Sequence, residues 1–251
     1  MSDQSFHTLC AEREGLLLGS ADDLPGIAFL DRAEDELFRV TQETTGSTAP
    51  REAPWGWGIS AHAARVAAAM ALRTGRAISL MVSNGYGVEA AGLVRRLGEI
   101  AQHAIGCAQD PSATYARNWG EGAGKAGKPS SAYVRGTADP NATREKYGFL
   151  SSMGHADLVP YLNFMSATDE RGEIVHPVQP ARHPAADAIC LASAACDLVR
   201  TALAVCQAHG LDTARTMALA QKLHVFSAAA DADADADAWA LAREKAMQPA
   251  G

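Results

Sequence analysis

Arg96, Glu99 and His103 lie three and four residues apart in the stretch "GVEAAGLVRRLGEIAQHAIGCAQ". On a helix, side chains at these spacings stack on one face and can reach one another. They combine a fixed cation, a carboxylate and a group that titrates near neutral pH. Such a trio can hold an anion on Arg96 while Glu99 orients the guanidinium and His103 gives or takes a proton. The competing reading is a local ion pair worth about 0.2–0.5 kcal/mol at the edge of an ordinary helix.

A second set sits in "REKYGFLSSMGHADLVPYL", where Tyr147, Ser151 and His155 recur every four residues, with Gly154 placed to break the helix just before His155. If that face opposes the first trio, the bundle encloses a polar cleft. Arg96, Glu99, His103, Tyr147, Ser151 and His155 would line it and bind a ligand. The alternative is a buried hydrogen-bond network that fixes helix packing and binds nothing.

The elements that position these groups follow from apolar spacing. In the first stretch, Leu93, Leu97, Ile100, Ala104 and Cys107 form one core stripe. The trio lies about a quarter turn to its side, with Arg95 and Gln102 turned further towards water. Upstream, residues 26 to 44 have helical spacing and an acidic outer face. "GSTAPREAPWGWG" interrupts as a loop, and a helix starts near Ser60, a plausible N-cap. Gly75 marks a point where that helix relaxes or ends, and Asn84-Gly85 is its clear stop. Asp110-Pro111 closes the quoted helix, and "PSATYARNW" begins another.

Residues 120 to 140 are rich in Gly, Ser and Pro and read as a long loop. Helical spacing resumes from about Asn141 to Met153 and through "HADLVPYLNFM". A turn at Glu170-Arg171-Gly172, followed by alternating apolar residues, predicts a small β-hairpin. A strongly apolar helix runs from about Pro184 to His209, closed by Gly210, and another follows it. The end, "DADADADAWALAREKAMQPAG", alternates Asp with Ala and reads as a low-complexity connector before a short helix.

Composition bounds the function. The chain has 251 residues, 47% hydrophobic and 20% charged, with a net charge of -7. Abundant alanine favours helix, and the acidity opposes a broad phosphate-backbone contact. The first residues, "MSDQSFHTLCAEREG", do not read as a secretory signal. No uninterrupted apolar run of about 18 residues occurs, so no membrane span is expected. Cys10, Cys107, Cys190, Cys196 and Cys206 contain no Cys-x-x-Cys pair. Reduced, buried thiols in a cytoplasmic protein are the expectation.

The order and spacing of Arg96, Glu99, Asp110, Pro111, Tyr147, Leu150, Ser151 and His155 resemble a family of uncharacterised bacterial all-helical proteins similar to the HEPN superfamily. The resemblance covers about residues 60 to 165. It implies an all-α, HEPN-like bundle, a ligand-binding or stress- and defence-associated role, and a homodimer. HEPN ribonucleases place a His after an Arg with four to six residues between, and Arg96 and His103 have six between them. As catalytic residues the pair would act without a metal, His103 moving the proton and Arg96 stabilising the phosphorane charge. Leu97 stands where such motifs carry a polar residue after the Arg.

Other motifs fall away. "GAGKAGKP" has Pro129 in place of the hydroxyl residue of a phosphate-binding loop, and no strand precedes it. Trp55 and Trp57 read as rings packed over the bundle end. His155, His176 and His183 lack metal-ligand spacing, and no acyl-transfer elbow is present. The expectation is a single helical-bundle domain over residues 1–228, with its core at about 58–228, followed by the 229–251 segment. Its partner is a small anionic ligand or RNA, with no cofactor, metal or membrane.

Overall fold

The computed structural model describes residues 6–20, 24, 26–45, 57–122, 167–168, 174–175, 180–181 and 183–234. Among them are seven helices: α1 (Phe6–Leu18), α2 (Ile27–Glu43), α3 (Trp57–Ser83), α4 (Gly87–Gln109), α5 (Thr114–Gly120), α6 (Pro184–His209) and α7 (Ala214–Ala234). The described helices form a bundle. Two-residue strands, Ala167–Thr168 and Ile174–Val175, pair antiparallel with Ala167 opposite Val175. The turn between them lies outside the described residues.

Local signals account for most helix ends. Gly85 and Gly210 both adopt positive φ, at 85° and 64°, and stop α3 and α6. Pro184 begins α6 where a missing N–H costs nothing. Four expectations need correction. Gly75 does not end α3: it is interior, and its bare Cα lets Leu198 of α6 and the Glu34 carboxylate of α2 approach. Ser60 is not a cap, because α3 starts at Trp57; instead its hydroxyl donates to the Asp110 carbonyl at 2.7 Å. The core does not begin near residue 58, since Leu30, Ala33, Leu37 and Val40 of α2 are all fully buried. α7 also continues through residues 229–234, taking in the first part of the Asp-Ala run.

Helix α6 is the hub, packed against α2, α3, α4 and α7. Its heptad-scale run of Leu191, Ala194, Ala195, Leu198, Ala202 and Val205 is wholly inaccessible to solvent. Small residues let the helices close up. A Cβ added to Gly87 would lie 1.8 Å from Asp187 Oδ1, so only glycine allows α4 to begin there against the first turn of α6. Further along, Gly98 faces Asp197, so α4 and α6 run parallel. α3 runs antiparallel to α6: Gly75 meets Leu198, and the His209 Nε2–H donates to the Ala61 carbonyl at 3.1 Å.

Among the described residues two helices, α3 and α6, are long and apolar enough to cross a membrane by length and composition. In α6 the most apolar window is 78% buried within the bundle, as a core helix requires. In α3 the corresponding share is only 44%.

Candidate functional site

The C-terminal half of α4 and the short helix α5 form a corner around His103. Asp110 builds it. Its carboxylate accepts from the backbone N–H of Ser112 at 2.9 Å and of Tyr115 at 2.6 Å, and from the Ser112 hydroxyl. Those bonds hold the Asp110 carboxyl below its ordinary range, led by the Ser112 hydroxyl. The reversal passes through Ala113, whose φ of 63° is the left-handed conformation an alanine adopts only under constraint. Gly106 has no side chain, and a Cβ there would meet the Tyr115 ring at 2.3 Å. The turn therefore lays Tyr115 across α4.

The result is an enclosed imidazole. His103 is 7% exposed, and its Nδ1 shares a hydrogen bond with the Tyr115 hydroxyl at 3.1 Å. Trp119 stacks on it with ring centroids 4.4 Å apart and planes 9° from parallel. Burial holds the His103 pKa below its ordinary value, although the Glu99 carboxylate pulls the other way. Burial also raises the Tyr115 hydroxyl and pushes the nearby Cys107 thiol up to about 11. The imidazole is thus kept neutral, flanked by a neutral phenol and a protonated thiol.

The rest of the trio is arranged differently from the expectation. Leu97, Ile100, Ala104 and Cys107 are buried and Leu93 partly so, as the core stripe requires. Gln102, expected towards water, is 8% exposed, whereas Arg96 is on the surface. Glu99 meets Arg95 at 3.5 Å, one turn away, and not Arg96. The reason is that α4 lies between α3 and α6, so its buried arc is broader than one stripe and takes in Gln102. α5 then covers the same face on which Arg96, two turns earlier, remains in solvent. Among the described residues none pairs with Arg96. A separation of seven residues puts it about 10 Å along the axis from His103. Tyr147, Ser151 and His155 lie outside the described residues, as do Trp55, Lys125, Lys128 and His176.

Tyr115 and Trp119 have no counterpart in the sequence reading. Their signal was an aromatic pair four residues apart, directly after the Asp-Pro break, in "PSATYARNW". A buried acid and a half-buried one were missed as well. Glu36, 2% exposed, accepts from Arg39 at 2.6 Å and from the Thr216 hydroxyl at 2.6 Å, and pairs with Arg215 at 2.9 Å. These bonds hold its carboxyl below the ordinary range and latch α2 to α7. Glu34 is the opposite case. Its Oε1 is buried without a hydrogen-bond partner, and burial raises its pKa to about 7 against the pull of Arg76.

Among the described residues no three or more His, Cys, Asp and Glu side chains converge as metal ligands. All five cysteines are free thiols, with Cys107, Cys190 and Cys206 buried. Compared with known proteins, the chain matches no family model, no curated protein and no solved structure.

Proposed function

We propose that this protein binds a small anionic ligand on the solvent face of α4, with Arg96 as the anchor. The observation that carries this reading is the division of labour between adjacent arginines. Arg95 pairs with Glu99, while Arg96 stands exposed and unpaired among the described residues. A guanidinium in that position offers its five donors to a carboxylate or phosphate. Glu99 acts through Arg95, keeping the second cation from competing for the same anion. The neutral His103–Tyr115 pair stiffens the corner beyond it. The HEPN-like form of the bundle and the stress- or defence-associated role rest on motif order, with Asp110-Pro111 falling between α4 and α5 in support. Free thiols throughout support a cytoplasmic setting.

The test is calorimetric titration and thermal shift with inorganic phosphate, pyrophosphate and nucleoside monophosphates. Binding that weakens at least about tenfold in Arg96→Ala, with unfolding temperature unchanged, supports the reading. Failure of every anion to bind, or an Arg96→Ala variant that binds like the wild type, removes it.

A second reading, metal-independent RNA cleavage by Arg96 and His103, is favoured by one observation: burial keeps His103 neutral, as a general base must be. It requires α5 to lift, because Tyr115 and Trp119 cover the ring. Labelled RNA incubated with EDTA decides it. Cleavage lost in both His103→Ala and Arg96→Ala supports the nuclease, and intact RNA across varied sequences excludes it.

A further inference from the structure

The groove between α4 and α6 is lined by polar side chains that have no part in the apolar core or in the anion site at Arg96. Its floor is set at Gly98, where the missing side chain lets Asp197 Oδ2 come within 3.2 Å of the place a Cβ would take. Arg95 and Gln102 are three residues before and four after Gly98, so they flank it on the same face of α4. On α6, Ser193 and Arg200 are four before and three after Asp197 and flank it likewise. The two helices run parallel, so these sets oppose each other along one groove. Its depth is graded. Ser193 and Asp197 are 6% and 4% exposed, whereas the side chains of Arg95, Glu99 and Arg200 are 29%, 37% and 31% exposed. The floor therefore carries a carboxylate and the rim two guanidiniums. Ser193 points to a ligand: its Oγ is buried and has no hydrogen-bond partner among the described residues. Packing alone gains nothing from an unbonded hydroxyl at that depth, and a polar group of a ligand would satisfy it.

We infer that this groove binds a small zwitterion of the α-amino acid class, its ammonium on Asp197 and Ser193 at the floor and its carboxylate on Arg95 and Arg200 at the rim. The site goes beyond the one on Arg96, which leaves α4 about 100° round from Arg95. Charge decides the class. Arg95 with Glu99 and Arg200 with Asp197 sum to zero, so a bare anion or a bare cation would leave an uncompensated charge beside the buried floor, and a zwitterion leaves none. Polarity fits as well, negative inside and positive outside, the reverse of an amino acid entering ammonium first. Both resident ion pairs are long, at 3.5 Å, against about 2.7–2.9 Å for a tight charge-assisted bond. A ligand carboxylate meeting either guanidinium in bidentate geometry makes shorter bonds than these. The Gln102 amide, 8% exposed beside Gly98, offers the same ligand a donor and an acceptor.

Titration calorimetry of the full-length chain with glycine, L-leucine, L-glutamate and L-arginine tests this, alongside the N-acetyl and carboxamide forms of each. At least one amino acid is expected to bind with a dissociation constant below about 1 mM. Its two blocked forms, each lacking one of the charges, are expected to bind at least about tenfold more weakly. Ser193→Ala is expected to weaken the amino acid at least about fivefold, the loss of one hydrogen bond to a charged group. Its unfolding temperature without ligand should stay the same or rise, since the hydroxyl removed is unbonded in the free protein. Arg200→Gln is expected to weaken the amino acid and to leave its carboxamide unaffected. Inorganic phosphate, a probe of Arg96, is expected not to displace the amino acid, so failure of one site is distinguishable from failure of the other. Absence of binding by all four amino acids overturns the inference. So does an N-acetyl or carboxamide form that binds as tightly as its parent, or displacement by phosphate. A Ser193→Ala variant that binds like the wild type overturns it too, and leaves Ser193 a packing residue only.

Discussion

His103 lies flat against Trp119, with ring planes 9° from parallel and centroids 4.4 Å apart. The stack, together with the Tyr115 hydroxyl on Nδ1, turns the C-terminal half of one face of α4 into protein interior. Two turns earlier, Arg96 on that face remains in water. The boundary between an enclosed neutral imidazole and an exposed cation is drawn by α5, a helix of seven residues.

Removing the stack should release the imidazole. In Trp119→Ala the His103 pKa is expected to rise towards its ordinary value of 6.5, measured by NMR titration of the ring protons. A depressed pKa in the folded state contributes stability above the unfolded value that is lost as pH falls through the folded one. Acidification should therefore cost the variant less than the wild type. An unaltered His103 titration would show that Trp119 does not shield the ring.

Gly106→Ala is expected to destabilise the protein by about 1–3 kcal/mol, the usual cost of overpacking. The new methyl would meet Tyr115 ring carbons at 2.3–2.7 Å. Tyr115→Ala in the same chain should recover part of the loss, which thermal unfolding of the single and double variants measures. Equal losses in both would place the strain elsewhere.

Glu34 gives stability an alkaline slope. Its pKa is raised from 4.5 to about 7, so its contribution is complete below 4.5 and is lost as pH rises through about 7. Glu34→Gln is expected to match the wild type at acid pH. At pH 8 it should be more stable by about 1 kcal/mol, after discounting the shift for partial exposure. Denaturant titrations across that range check this, and parallel slopes for the two proteins would contradict it.

At the α2–α7 latch, the two ends of the ion pair should differ. Glu36 is 2% exposed and serves Arg39, Thr216 and Arg215 together. Glu36→Ala is expected to cost about 3 kcal/mol, as for loss of one member of a buried charge network. Arg215 is 71% exposed, and Arg215→Ala should cost less than about 1 kcal/mol. Comparable losses in urea unfolding would mean that Arg215, and not the Thr216 hydroxyl, carries the latch.

Much of the secondary structure was legible from residue order because its causes are local. Gly85, Asp110-Pro111, Pro184 and Gly210 set the helix boundaries through backbone preferences that act within a few residues. Gly75 misled for the same reason: its helix cost is local, while its use, admitting Leu198 and Glu34, belongs to two other helices. α1 was not anticipated, having little amphipathic pattern to read.

The candidate site was legible only in part. Apolar spacing correctly placed Leu97, Ile100, Ala104 and Cys107 in the core. It could not tell that Gln102 is buried, Arg96 exposed and His103 roofed by aromatic rings, nor that Glu99 meets Arg95. By itself the sequence determined that the chain is helical, where most of its long helices end and which stripe of α4 is apolar, because backbone propensity and periodicity are properties of neighbouring residues. Only the tertiary structure decided which polar groups on those helices are in water, since burial depends on what packs alongside, and Thr216 reaches Glu36 from 180 positions away.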